Sequence, residues 1–107
     1  MELISRDELK QKLDSGEEFK LVMVLSEWAY RAKHIPGSLH FNTPEEALAT
    51  LTKDDEIVVY CSNPDCIASV AAYKILRENG YGNVWRYAGG LENWEAAGYA
   101  LEGELVE

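Results

Sequence analysis

Basic side chains are scarce in this chain. Its 107 residues hold ten lysines and arginines against nineteen aspartates and glutamates, a formal net charge of -9. Such a surface repels a phosphate backbone at long range, and no stretch gathers enough lysine or arginine to reverse the effect locally, so no nucleic-acid partner is expected. Long apolar runs are missing as well. None approaches the roughly 20 residues that a membrane-spanning helix needs. The opening stretch Met1-Glu2-Leu3-Ile4-Ser5-Arg6-Asp7-Glu8 has no basic segment followed by an apolar one, so no membrane partner and a cytoplasmic location are expected. Cysteine occurs twice, at Cys61 and Cys66, with four residues between. Thiols that close cannot staple a small secreted fold, and in a reducing compartment they are catalytic, metal-binding or merely buried. The two histidines, His34 and His40, do not complete a zinc pattern with them, because neither pair has the tight spacing of structural ligands. No metal and no cofactor are therefore expected.

What is present suits a compact globular protein. A charged fraction of 27% and a hydrophobic fraction of 47% argue against disorder, and the length fits one domain over residues 1–107 with a core of modest size. No repeat, linker or low-complexity segment interrupts it. Ser5-Arg6-Asp7-Glu8 reads as a capping box, with Ile4 and Leu9 placed as a hydrophobic staple, and predicts a helix over residues 6–14 stopped by Gly16. The run Phe19-Lys20-Leu21-Val22-Met23-Val24-Leu25 is the pattern of a strand buried on both faces. Ser26 caps a short helix over residues 27–33, and Pro36-Gly37 turns the chain into a short strand over 38–41. Thr43-Pro44-Glu45-Glu46 starts a helix that runs to about Leu51. Glu56-Ile57-Val58-Val59-Tyr60 is the cleanest strand and delivers the chain to Cys61. A helix over 68–79 with Gly80 beyond it, a strand over 84–87, a Gly89-Gly90 turn and a helix over 91–97 complete the pattern. Strands alternating with helices imply parallel pairing, right-handed crossovers and helices on both faces of the sheet.

The chemistry concentrates where strand meets helix. In an open parallel sheet ligands bind beyond the carboxyl ends of the strands, and Cys61 holds such an end. A loop entering a helix N-terminus presents unpaired N–H groups and the positive end of the helix dipole. The same geometry stabilises a thiolate and activates it as a nucleophile. The plain alternative is a small buried cysteine ending a core strand.

Three segments carry a resemblance to a known family. In this order, Lys33-His34-Ile35-Pro36-Gly37-Ser38, Ile57-Val58-Val59-Tyr60-Cys61 and Tyr87-Ala88-Gly89-Gly90-Leu91-Glu92-Asn93-Trp94-Glu95-Ala96-Ala97-Gly98-Tyr99 resemble the signatures of the rhodanese-like domain. The likeness extends from about Ile4 to Leu101. It implies an α/β fold with a five-stranded, mainly parallel sheet flanked by helices on both faces, and an active-site cysteine opening the loop after the fourth strand. Cys61 matches that position. The resemblance also implies a double displacement, in which a small anionic donor such as thiosulfate, or a persulfide, passes sulfane sulfur to the Cys61 thiolate. The Cys61 persulfide then hands the sulfur to cyanide, a thiol or a protein acceptor. Ser62, Asn63, Pro64, Asp65, Cys66 and Ile67 would form the substrate-binding loop, whose N–H groups can stabilise a persulfide without a cofactor.

Departures from the family pattern shape the expectations. From Cys61 to Ile67 the loop has seven residues where typical sulfurtransferases have six, and Ile67 stands where Arg or Lys is usual. A seven-residue loop resembles that of the rhodanese-fold dual-specificity phosphatases, but those end in an Arg whose bidentate grip on phosphate Ile67 cannot replace. A sulfurtransferase therefore ranks first. A persulfide-binding or regulatory module without turnover is the alternative, and a phosphatase or arsenate reductase ranks well below both. Met23 and Leu25 occupy positions where family members commonly show Asp and Arg, and are expected to pack as core. Cys66 has three readings: a resolving thiol, a second persulfide carrier, or an apolar plug under the loop. His34 is expected to hydrogen-bond backbone, Trp94 and Leu91 to pack in the core, and Asp65 to point outward from an anionic donor.

Overall fold

The computed structural model describes residues 1–106. Helix α1 (Arg6–Asp14) begins where the capping box predicts: Ser5 Oγ accepts from the Glu8 N–H at 3.2 Å while the Glu8 carboxylate accepts from the Ser5 N–H at 3.1 Å. Ser26 caps α2 (Glu27–Ala32), and Thr43 caps α3 (Pro44–Thr50) with Pro44 in its first turn. Strands β1 (Lys20–Met23), β2 (Ser38–Leu39), β3 (Ile57–Tyr60) and β4 (Val84–Tyr87) alternate with these helices and with α4 (Ala68–Glu78) and α5 (Gly90–Ala96). Gly80, just past α4, has φ +90°, the left-handed conformation that lets a helix end there.

The sheet has four parallel strands in the order β2-β1-β3-β4, not the five that the family resemblance implied. The fifth position is reduced to one parallel bridge between Leu3 and Arg86, made by the Ile4 N–H to Arg86 carbonyl bond and the Arg86 N–H to Glu2 carbonyl bond. The cause is local. Capping at Ser5 commits the chain to helix from Arg6, so the extended pairing with β4 ends at Ile4. Strands β1 and β2 are also shorter than the apolar runs suggest, because Ser26 opens α2 soon after β1 and leaves β2 only two residues to pair.

Alternation along the strands divides the core in two. Leu21, Met23, Val58, Tyr60 and Tyr87 point to one face, where they pack with Ile4 and Leu9 beside α1 and with Trp94 of α5. Val22, Ile57, Val59 and Val84 point to the other, against Leu51, Tyr73, Leu76 and Tyr81 around α3 and α4. Burial on both faces explains why β3 reads as an uninterrupted apolar run rather than an alternating one. Met23 is buried in the first cluster and Leu25 packs against it, as expected for residues standing in place of charged ones. Among the described residues no helix is long and apolar enough to cross a membrane.

Candidate functional site

Register places the carboxyl ends of three strands side by side, since Met23 pairs with Tyr60 and Tyr60 with Tyr87. Cys61 follows Tyr60, so strand alternation turns its side chain to the face that carries Ile57 and Val59, the side covered by α3 and α4. Its Sγ lies 3.5 Å from the Val24 carbonyl oxygen. Cys61 is only 1% exposed, which places it beneath the loop rather than at an open mouth.

Cys61 and Cys66 are joined by a disulfide, with their Cα atoms 6.2 Å apart and five positions apart in sequence. The bond closes one loop and ties no two elements together. It also removes the reading of Cys66 as an apolar plug, because Cys66 is half-buried and bonded to the cysteine that the plug would have sealed. Between the two sulfurs the loop folds on itself through the Cys66 N–H to Asn63 carbonyl bond at 3.2 Å and the Asp65 N–H to Asn63 Oδ1 bond at 3.0 Å. Ser62 and Asn63 are half-buried; Pro64, Asp65 and Ile67 are exposed, Ile67 by 80%.

The loop ends at the start of α4, where Ile67 provides no side-chain cap. The first turn of α4 is thus left with N–H groups that no capping side chain answers. Among the described residues, the Ser62, Asn63 and Ile67 N–H groups also donate to no backbone carbonyl. N–H groups left without an acceptor and the positive end of a helix dipole are groups that favour an anion.

Two residues that hold the loop are not evident as site residues in the sequence. Gly90, φ +72°, packs so closely that a Cβ there would sit 2.8 Å from the Asn63 nitrogen and 2.8 Å from the Cys61 oxygen. Just beyond it, the Leu91 and Glu92 N–H groups of α5 donate to the Cys61 and Ser62 carbonyls at 2.9 and 2.8 Å. Arg86, buried on β4, donates from Nε to Ser69 Oγ at 2.9 Å and from a terminal nitrogen to the Pro64 carbonyl at 3.4 Å. It makes no ion pair among the described residues, so the loop rests on a guanidinium although it contains no lysine or arginine of its own. The signal available in the sequence was a lone basic residue inside an apolar strand.

Behind Cys61, Tyr60 anchors the neighbouring motif. Its hydroxyl accepts from the Ile35 N–H at 3.0 Å and lies 2.7 Å from Ser38 Oγ, which in turn donates to the Ile35 carbonyl at 2.6 Å. Burial pushes the Tyr60 pKa up to about 12, keeping the hydroxyl protonated. His34 Nδ1 sits 2.7 Å from the Tyr30 carbonyl oxygen, a backbone contact of the kind expected for this turn, and Trp94 is buried with its indole N–H on the Ala100 carbonyl. An apolar cavity of about 470 Å³ opens between α3, α4 and the sheet, lined by Val24, Phe41, Leu48, Val59, Ala68 and Ala72 among others. Its upper wall includes Val24, whose carbonyl touches Cys61.

The chain belongs to the rhodanese-like domain family: the family's model matches residues 5–97. Among individual relatives it is 37% identical over 101 residues to the HTH-type transcriptional regulator Rv0324 of Mycobacterium tuberculosis, covering 92% of this chain and 44% of that protein. It is 32% identical over 94 residues to YtwF of Bacillus subtilis, provisionally described as a sulfurtransferase, covering 86% of this chain and 88% of the relative. It also matches the provisionally described sulfur carrier protein YrkF of the same species at 29% identity, covering 85% of this chain and 49% of that one. The chain thus spans about half the length of two of these relatives. Among solved structures, BH2092 of Bacillus halodurans superposes with a TM-score of 0.90 at 26% identity, covering 97% of this chain and 78% of the other. The rhodanese-like domain of Alr3790 from Anabaena follows with a TM-score of 0.85 at 28% identity, covering 98% and 81%.

Proposed function

We propose that the protein is a sulfurtransferase that carries sulfane sulfur on Cys61, taking it from thiosulfate or a persulfide and passing it to a thiol, cyanide or a protein acceptor. One observation carries the reading: Cys61 directly follows β3 and heads a loop that enters an α4 N-terminus with no side-chain cap. A persulfide is an anion at its terminal sulfur, and unanswered N–H groups beside a buried guanidinium are what such an anion needs. Ser62, Asn63, Pro64, Asp65, Cys66 and Ile67 are the proposed binding loop. A cytoplasmic location belongs to the same proposal, because a free thiolate at Cys61 requires reducing surroundings.

The test uses reduced, desalted protein treated with thiosulfate. At the earliest times after mixing, an adduct of about 32 Da, one sulfur atom, is expected on the Cys61 peptide, and none at any time in Cys61→Ser. Sulfur transfer that survives Cys61→Ser would end the assignment. The second reading, a persulfide-binding or regulatory module, is favoured by the 1% exposure of Cys61 and by a relative described as a transcriptional regulator. It predicts that the adduct forms but is not passed to cyanide. No hydrolysis of an aryl phosphate is expected, because a loop ending in exposed Ile67 has no guanidinium there to grip a transferring phosphoryl group.

A further inference from the structure

We infer that Cys66 is an internal sulfur-releasing thiol: it attacks the Cys61 persulfide, expels the carried sulfur as hydrosulfide and leaves the Cys61–Cys66 disulfide. The inference rests on the sulfurtransferase reading above and adds to it an activity, the reduction of sulfane sulfur to sulfide, with a dithiol as the consumed reductant.

The structure contains the product of that step. Cys66 Sγ is bonded to Cys61 Sγ itself, the inner sulfur of a persulfide, so Cys66 can reach the atom that an attack displacing the outer sulfur must strike. Nor does the bond alone hold the two together. The Cys61 carbonyl is pinned by the Leu91 N–H, the Ser62 carbonyl by the Glu92 N–H, and the Cys66 N–H by the Asn63 carbonyl, so the loop keeps both thiols close after reduction. Proximity of this kind gives an internal thiol an effective concentration that dilute external thiols do not match.

The steps balance. Thiosulfate gives Cys61 a persulfide as its S–S bond breaks and sulfite leaves. The Cys66 sulfur then forms a bond to Cys61 Sγ while the bond from Cys61 Sγ to the outer sulfur breaks. The outer sulfur departs with the electron pair and takes up the Cys66 thiol proton as hydrosulfide. Two cysteine sulfurs are oxidised to a disulfide and one sulfane sulfur is reduced to sulfide. A dithiol resets the pair by attacking Cys66, the half-buried partner, since Cys61 is only 1% exposed. Cys61 then leaves as a thiolate toward the N–H groups of the loop, ready for the next donor.

A single-turnover experiment tests this. Fully reduced full-length protein, freed of external thiol, is mixed with thiosulfate, and hydrosulfide, intact mass and free thiols are followed together. Wild type is expected to release about one hydrosulfide per chain and to end about 2 Da lighter, as the disulfide. Cys66→Ala is expected to stop at the adduct of about 32 Da and to lose it at least about tenfold more slowly, with Cys66→Ser and circular dichroism confirming that the fold is kept. A wild-type adduct as long-lived as that of Cys66→Ala, with no hydrosulfide, would overturn the inference and leave the sulfurtransferase reading standing. No adduct in either protein and no hydrosulfide would instead overturn the sulfurtransferase reading, and this inference with it.

Discussion

Helices α1, α2 and α3 start differently from α4 and α5. The first three begin at Ser5, Ser26 and Thr43, each of which answers an N-terminal N–H with its own side chain. The last two begin at Ile67 and Gly89, with no side-chain cap, and both stand against the Cys61 loop. The N–H groups of α5 are spent on the Cys61 and Ser62 carbonyls, while no side chain caps those of α4. The contrast shows how the fold divides its labour: self-contained helix starts build the scaffold, and incomplete ones are completed by the loop or by what the loop binds.

The strongest test of this division is Gly90→Ala. A left-handed backbone and a Cβ overlapping loop backbone should cost about 3 kcal/mol in urea unfolding and dislodge the loop from α5, with loss of sulfur loading at Cys61. A variant that kept both stability and loading would dissolve the claim that α5 holds the loop. Next in size, Tyr60→Phe leaves the buried Ile35 N–H without its acceptor and should cost about 2 kcal/mol. Because the folded-state pKa of Tyr60 is raised from 10.0 to about 12, its contribution is complete below pH 10.0 and is lost as pH climbs toward 12. Urea titrations across that window should show a shallower decline in Tyr60→Phe than in wild type. Ser5→Ala removes a scaffold cap and should cost about 1 kcal/mol while leaving sulfur loading unchanged, which sharpens the separation between the two kinds of helix start. Smallest of all, Lys10→Ala breaks the exposed pair with Asp14 on α1 and should lower the unfolding free energy from urea titration by no more than about 0.5 kcal/mol.

The same division explains what could be read before the structure. Scaffold starts write themselves in neighbouring residues, so Ser5-Arg6-Asp7-Glu8 and Thr43-Pro44-Glu45-Glu46 located α1 and α3. Cys61 was legible as the end of an apolar strand entering a loop. The supports of that loop were not. Gly90 was read as half of a turn and Arg86 only as part of a strand, because each acts on residues more than fifteen positions away. The five-stranded sheet implied by the family pattern was corrected for a related reason, since pairing of Leu3 with Arg86 is a contact between distant segments and extends to one bridge.

By itself, then, the sequence determined the order of strands and helices, the burial of β3 on both faces and the place of Cys61 at a strand end, because each depends on periodicity or on residues within one turn of each other. Tertiary structure alone decided that Cys61 lies beneath its loop and that Cys66 is bonded to it. It also decided that a guanidinium from β4 supports a loop with no cation of its own. Those facts depend on how β3, β4, α4 and α5 converge in space, and convergence is set by packing between distant segments rather than by any local pattern.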